Sequence, residues 1–183
     1  MTSDDESLRA DARANRERIL DAGRLALEAD PHASLNSIAK AAGIGPGTLY
    51  RHFPDRESLV IAVYKSEIDA LAAAAPALLA KHPPLQAFRL WCDRLAKFGR
   101  MKHGIANVLD AARPGREAYL PILEAVSALM TACERANAIE PGTDPEDFLS
   151  LIGLIWRIPP NAASEARVKR MMAILLRGLG AKL

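Results

Sequence analysis

Thr48, Tyr50, Arg51 and His52 fall within five residues, and Arg56 follows shortly after. Hydroxyl and ring N–H groups of Thr, Tyr and His donate to phosphate oxygens. An arginine fork fits the O6/N7 edge of guanine. The set therefore suits contacts to phosphates and base edges. It does not suit bond-breaking chemistry. The sequence has no nucleophile elbow, phosphate loop, paired metal ligands or dinucleotide fingerprint. Its 4 histidines and 2 cysteines are scattered. We assign no catalytic residue, no metal and no cofactor, and read the chain as not an enzyme.

These side chains need a scaffold, and the flanking residues supply one. Ser34 fits the N-cap of a helix whose inward face is Leu35, Ile38 and Ala42. Gly43 fits the left-handed position that ends it. Ile44 then plugs the joint, and Pro46 and Gly47 start a short helix with Leu49 and Phe53 on its buried face. Two helices joined by a glycine turn make a helix-turn-helix. A preceding helix runs from about Arg9 to Ala29 and stops at Asp30-Pro31. Pro54-Asp55 caps a fourth helix, from Arg56 to about Ala75, with a stripe of Leu59, Val60, Val63, Tyr64 and Leu71.

Further along, helices are expected after His82-Pro83-Pro84, around Gly104–Ala111 and over about Glu117–Asn137. Asp144-Pro145 is a strong start signal, since Asp144 can cap and Pro145 fits the first turn. That helix runs to about Trp156, and a last one spans roughly Ala163–Arg177. The fold class is all-α, with about nine helices. The helix-turn-helix domain is assigned to residues 1–56 and a second helical domain to residues 57–183.

Bulk properties narrow the setting more than the function. The chain has 183 residues, a net charge of +2, and 50% hydrophobic residues with few aromatics. Residues 1–56 carry eight Lys/Arg against nine Asp/Glu, so a nucleic-acid reading rests on placement and not on basicity. Cys92 and Cys133 have no metal-like spacing and read as two buried thiols of a reducing compartment. No apolar stretch is long enough for a signal peptide or membrane span. A cytoplasmic protein with no membrane partner is expected.

The order Ala39-x-x-x-Gly43, then Gly47-Thr48-Leu49-Tyr50-x-His52-Phe53, then Arg56-Glu57-x-Leu59 is restrictive. Over about residues 15–65 it resembles the DNA-binding domain of the TetR/AcrR family of transcriptional repressors. The resemblance implies DNA contacts for Thr48, phosphate contacts for Tyr50, His52 and Arg56, and groove-facing positions for Pro46, Gly47 and Arg51. Asn36 matches a position that often reaches a base, and Ser34 one that caps the second helix and touches backbone. Two residues depart from the pattern. Position 45 is Gly where the family usually has Ser, and position 36 is Asn where Arg is commoner.

The resemblance also implies a C-terminal region that binds an effector and dimerises. Residues 148–156 and 168–179 are apolar on more than one face, as helices buried on two sides must be. Ile152, Ile155, Val168, Met171, Met172, Leu175, Leu176 and Leu179 are the expected dimer interface. Trp91, Phe98, His103, Asn107, Arg113, Tyr119 and Trp156 are the candidate pocket residues. The implied function is a ligand-responsive regulator, most simply a repressor. Its partners are a double-stranded operator of pseudo-palindromic sequence, a second copy of itself as a homodimer, and a small-molecule effector of unknown chemistry. Gly45 and the near-neutral N-terminal charge keep one alternative open, a helical interaction adaptor with weakened or lost DNA binding.

Overall fold

The computed structural model describes residues 3–112, 116–155, 158 and 162–181. Among these, nine α-helices occur in chain order: α1 (Ser3–Ala29), α2 (Leu35–Ala41), α3 (Pro46–His52), α4 (Arg56–Leu79), α5 (Pro84–Gly104), α6 (Ala106–Ala112), α7 (Leu120–Arg135), α8 (Pro145–Ile155) and α9 (Ala162–Gly178). A 3-10 turn, Arg116–Tyr119, precedes α7. There is no strand among the described residues, and the all-α class is as expected.

Two compact units form. The first comprises Met1–Ser66 with Gly104–Arg113, the second Glu67–His103 with Pro114–Leu183. This corrects the boundary at residue 56. The start of α4 belongs to the first unit because Leu59, Val60 and Val63 are buried there with Ile19, Leu27 and Leu49. Gly23 lets the α1 backbone come close to α4, and a Cβ there would meet Val63 Cγ2 at 3.0 Å. The short helix α6 joins this unit despite its distance in sequence.

The core of the second unit is aromatic. Phe88, Trp91 and Phe148 are fully buried, and the Phe88 and Phe148 rings lie 5.2 Å apart, tilted by 44°. The indole N–H of Trp91 donates to the Leu71 carbonyl at 2.9 Å, so its burial leaves no polar atom unpaired. Helix α7 packs on α8, and α8 on α9. Asp144 caps α8 as expected, accepting from the Glu146 N–H at 2.7 Å.

Candidate nucleic-acid interface

Helices α2 and α3 are set by local bonds. Ser34 accepts from the Ser37 N–H at 3.1 Å, which satisfies one of the unpaired donors of the first turn. Its hydroxyl also donates to Ser37 Oγ at 3.2 Å, and Ser37 Oγ donates to the Ser34 carbonyl at 2.7 Å. At the other end Gly43 sits at φ +68°. The Gly43 N–H reaches the Lys40 carbonyl and the Ile44 N–H reaches the Ala39 carbonyl, the paired bonds of a Schellman turn. Helix α3 begins at Gly45, whose backbone is extended and which provides no side-chain cap. The Thr48 and Leu49 N–H groups bond to its carbonyl at 3.0 and 3.2 Å.

Helix α3 buries Leu49, and Phe53 is buried just after it. Pro46, Gly47, Tyr50 and Arg51 are exposed, while Thr48 and His52 are half-buried. Tyr50 is 46% exposed, so its ring lies outside the buried core of this unit. Arg51 folds back along its own helix, donating from Nε to the Gly47 carbonyl at 3.2 Å and from Nη2 to Thr48 Oγ1 at 3.5 Å. Ser34 and Asn36 are exposed on α2. The residues expected at the interface, Arg56 apart, are thus gathered on two adjoining short helices.

Arg56 is placed differently from the expectation of a phosphate contact. Its side chain is half-buried. It donates from Nε to the Ala33 carbonyl at 3.4 Å and from Nη2 to the Pro31 carbonyl. Two of its three nitrogens are therefore engaged with the α1–α2 turn. Arg16 is a residue that spacing alone does not reveal. Its guanidinium lies 5.2 Å from the centroid of the Phe53 ring, a cation–π contact between α1 and the end of α3. The two residues are too far apart in sequence for any periodic signal. Arg13 pairs with Glu17 at 3.8 Å, both highly exposed, and a pair of this kind contributes little.

The expected pocket residues fall in different surroundings. Trp91 and Phe98 are buried in the core, and the one polar atom of Trp91 is taken by Leu71. Tyr119 is half-buried, with the Lys102 ammonium 4.5 Å from its ring centroid and donating to its hydroxyl. Asn107 is exposed and lies in the first unit. The side chain of His103, and Arg113 and Trp156, lie outside the described residues. A cleft of about 620 Å³ runs between α5 and α9. Its apolar lining includes Cys92, Ala96, Val168, Met172 and Leu176, and Arg89, Asp93, Lys97, Glu165 and Lys169 add charge. Helical periodicity does not reveal this cleft, because its two walls are separated by most of the unit.

The expected dimer residues divide by burial. Ile152, Ile155, Leu176 and Leu179 are buried within the single chain, so they hold the unit together and are not available to a partner. Val168, Met171, Met172 and Leu175 are half-buried. The exposed apolar side chains of these helices are Leu151 at 48%, Leu154 at 57% and Ile174 at 60%. Both thiols are buried and unpaired. Burial raises the Cys133 thiol to about 11 and raises that of Cys92 as well. Among the described residues there is no group of three His, Cys, Asp or Glu able to hold a metal ion. No helix among them is long and apolar enough to cross a membrane.

A capped helix, a left-handed glycine turn and a short helix with an exposed polar face define a helix-turn-helix DNA-binding protein. Comparison with known proteins gives the family. Residues 19–63 match the model of bacterial regulatory proteins of the tetR family. Residues 83–181 match the model of the C-terminal domain of SbtR-like transcriptional regulators. A TetR transcriptional regulator from Streptomyces coelicolor is similar in structure, with a TM-score of 0.81 and 34% identity over 90% of this chain and 97% of that one. A TetR regulatory protein from Mycobacterium vanbaalenii has a TM-score of 0.74 at 26% identity, covering 94% and 98%. An HTH-type transcriptional regulator of Staphylococcus aureus strain USA300 is 41% identical over 64 residues. That match spans 34% of this chain and 35% of the relative. The chain belongs to the TetR family of transcriptional regulators. It is a regulator with a helix-turn-helix DNA-binding domain and not an enzyme.

Proposed function

We propose that the protein is a homodimeric repressor that acts in the cytoplasm, binds a pseudo-palindromic operator and is released by a small molecule. The observation that carries the DNA half of this reading is the exposed pair Tyr50 and Arg51, with half-buried Thr48 and His52 beside them, on a helix whose opposite face is buried through Leu49. Tyr50, Thr48 and His52 offer donors to phosphates, and Arg51 can leave its intrahelical bonds to fork onto a guanine. Asn36 and Ser34 add contacts from α2. In a two-fold dimer the two α3 helices read half-sites about 34–36 Å apart or somewhat wider.

The exposed Leu151, Leu154 and Ile174 support self-association through α8 and α9, since a two-fold interface must be self-complementary. The α5–α9 cleft supports effector binding, because about 620 Å³ lies within the usual range for small-molecule sites. The TetR-like regulator LfrR of Mycobacterium smegmatis, described in complex with proflavine, shares the fold at 24% identity and a TM-score of 0.62. Release needs the effector to favour the form that does not fit the operator.

Selection of bound fragments from genomic DNA, starting upstream of the protein's own gene, identifies the operator. Gel-shift titration then compares the wild type with a Tyr50→Ala, Arg51→Ala double variant. Operator affinity is expected to fall at least tenfold with fold and oligomeric state retained. Unchanged affinity sinks the assignment of α3 as the reading helix. Sedimentation of Leu154→Glu with Ile174→Glu is expected to give folded monomers, and an unaltered dimer removes α8–α9 from the interface.

A further inference from the structure

We propose that Arg56 is a positioning residue for DNA binding, which fixes the entry of α2 against the start of α4 and neutralises no phosphate. The inference rests on the reading of α2–α3 as the DNA interface. The turn that Arg56 grips has its own N–H groups satisfied locally. The Ala33 N–H bonds to the Asp30 carbonyl at 3.0 Å, and the His32 N–H to Asp30 Oδ1 at 2.8 Å. Arg56 supplies donors to two carbonyls of this turn, those of Pro31 and Ala33, and partly buried carbonyls require partners. A guanidinium does this with a planar fork that an ammonium cannot reproduce.

The next residue is Ser34, the cap of α2. Arg56 therefore fixes where α2 begins. The Gly43 turn joins α2 firmly to α3 through the bonds from Gly43 and Ile44. A displaced α2 entry is thus carried through to Tyr50 and Arg51. Base readout tolerates displacements of only about 0.5 Å, whereas sequence-independent attraction to the phosphate backbone is far less demanding. Loss of Arg56 should accordingly erode specificity before it erodes general DNA affinity.

The test uses the full-length protein and measures binding to its selected operator and to a random duplex, each across a salt series. The variants are Arg56→Met, which keeps the stem, and Arg56→Lys, which keeps the charge. Circular dichroism confirms that each is folded at the assay temperature. Both variants are expected to lose about tenfold or more on the operator and less than about twofold on the random duplex. The slope of log affinity against log salt should stay at the wild-type value. A phosphate contact predicts another pattern: near-full rescue by Lys, equal losses on both duplexes for Met, and a slope shallower by about 0.9. That pattern overturns the proposal. So does unchanged operator affinity with only a lowered melting temperature, which marks a purely structural role. If Arg56→Met does not fold, Arg56→Lys decides alone, since wild-type discrimination in that variant refutes the need for a fork. A wild type that binds all duplexes alike, or none, overturns the DNA reading itself and this inference with it.

Discussion

The two units are held together by different means, and they present different surfaces. In the first unit, α2 and α3 are each only seven residues long, too short to persist alone. They are fixed by a Ser cap, a left-handed glycine, and the fork of Arg56. What they leave exposed is polar. The second unit relies on packed aromatics around Phe88, Trp91 and Phe148. What it leaves exposed on α8 and α9 is apolar, at Leu151, Leu154 and Ile174. The contrast shows how the chain divides its work. Hydrogen-bonded local structure presents donors on two short helices, and apolar packing ends in three large exposed apolar side chains.

The largest way to break this comparison is Trp91→Ala. Removing a fully buried indole costs about 3–5 kcal/mol in a core that cannot collapse around the gap. Urea unfolding followed by circular dichroism measures the loss. The bonds that define α2 and α3 all lie within the first unit, so the amide protection of Ser37 and Ile44 should fall only with global opening. A loss below about 1 kcal/mol would mean that Trp91 is not part of a tight core.

Both units end a helix with the same device, which allows a sharper test. Gly43 follows α2 at φ +68°, and Gly180 follows α9 at φ +77°. Each carries the paired bonds of a Schellman turn, those of Gly180 and Ala181 running to the Arg177 and Leu176 carbonyls. A left-handed conformation costs an L-residue about 1–2 kcal/mol. Around Gly43 a Cβ meets open space, whereas at Gly180 it would lie 2.7 Å from Glu140 Cγ. Gly180→Ala is therefore expected to destabilise more than Gly43→Ala, in thermal melts of the two variants. Equal losses would show that Glu140 moves aside freely. Double substitution with Glu140→Ala should bring the two sites level.

Much of the first unit was legible because its determinants are local. Ser34, Gly43 and Asp55 act within four residues of themselves, and caps and turns are read at that range. Arg56 and Arg16 were not legible in the same way. Their partners, Ala33 and Phe53, lie outside their own helices, and helical periodicity carries no sign of such long-range contacts. In the second unit, helix bodies followed from periodicity and from Asp144-Pro145. The direction each apolar side chain faces did not. On α8 the alternation between buried Ile152 and exposed Leu151 is one residue wide, and an all-apolar helix gives no polar face to set that phase. The aromatics were read as a pocket because large rings line both cavities and cores.

Ser34→Ala is expected to cost about 1 kcal/mol, a typical value for losing an N-cap. It should raise amide exchange at Ser37 above that of the α7 amides. Gly45→Ser tests the opposite direction at the start of α3, where a side-chain cap is missing, and should stabilise by a few tenths of a kcal/mol. If Ser34→Ala leaves Ser37 exchange unaltered, the cap is not what holds the first turn of α2.

The smallest effects concern pH, and they separate the units once more. Asp55 caps α4, accepting from the Ser58 N–H at 2.7 Å. That bond, followed by the Ser58 hydroxyl, holds its carboxyl below the ordinary 3.8. A depressed carboxylate stabilises the fold above its unfolded value and loses that contribution as pH falls through its folded value. Fraying at the start of α4 should therefore begin below pH 3.8. Cys133 in the second unit behaves with the opposite sign. Burial raises it from 9.0 to about 11, so its contribution is intact below pH 9.0 and declines as pH climbs toward 11. NMR titration of the Asp55 carboxyl alongside the rate of thiol alkylation from pH 8 to 11 reads both limbs. An Asp55 midpoint at or above 3.8 removes the acid limb from the first unit. Thiol reactivity that follows an ordinary cysteine in the native protein removes the alkaline limb from the second.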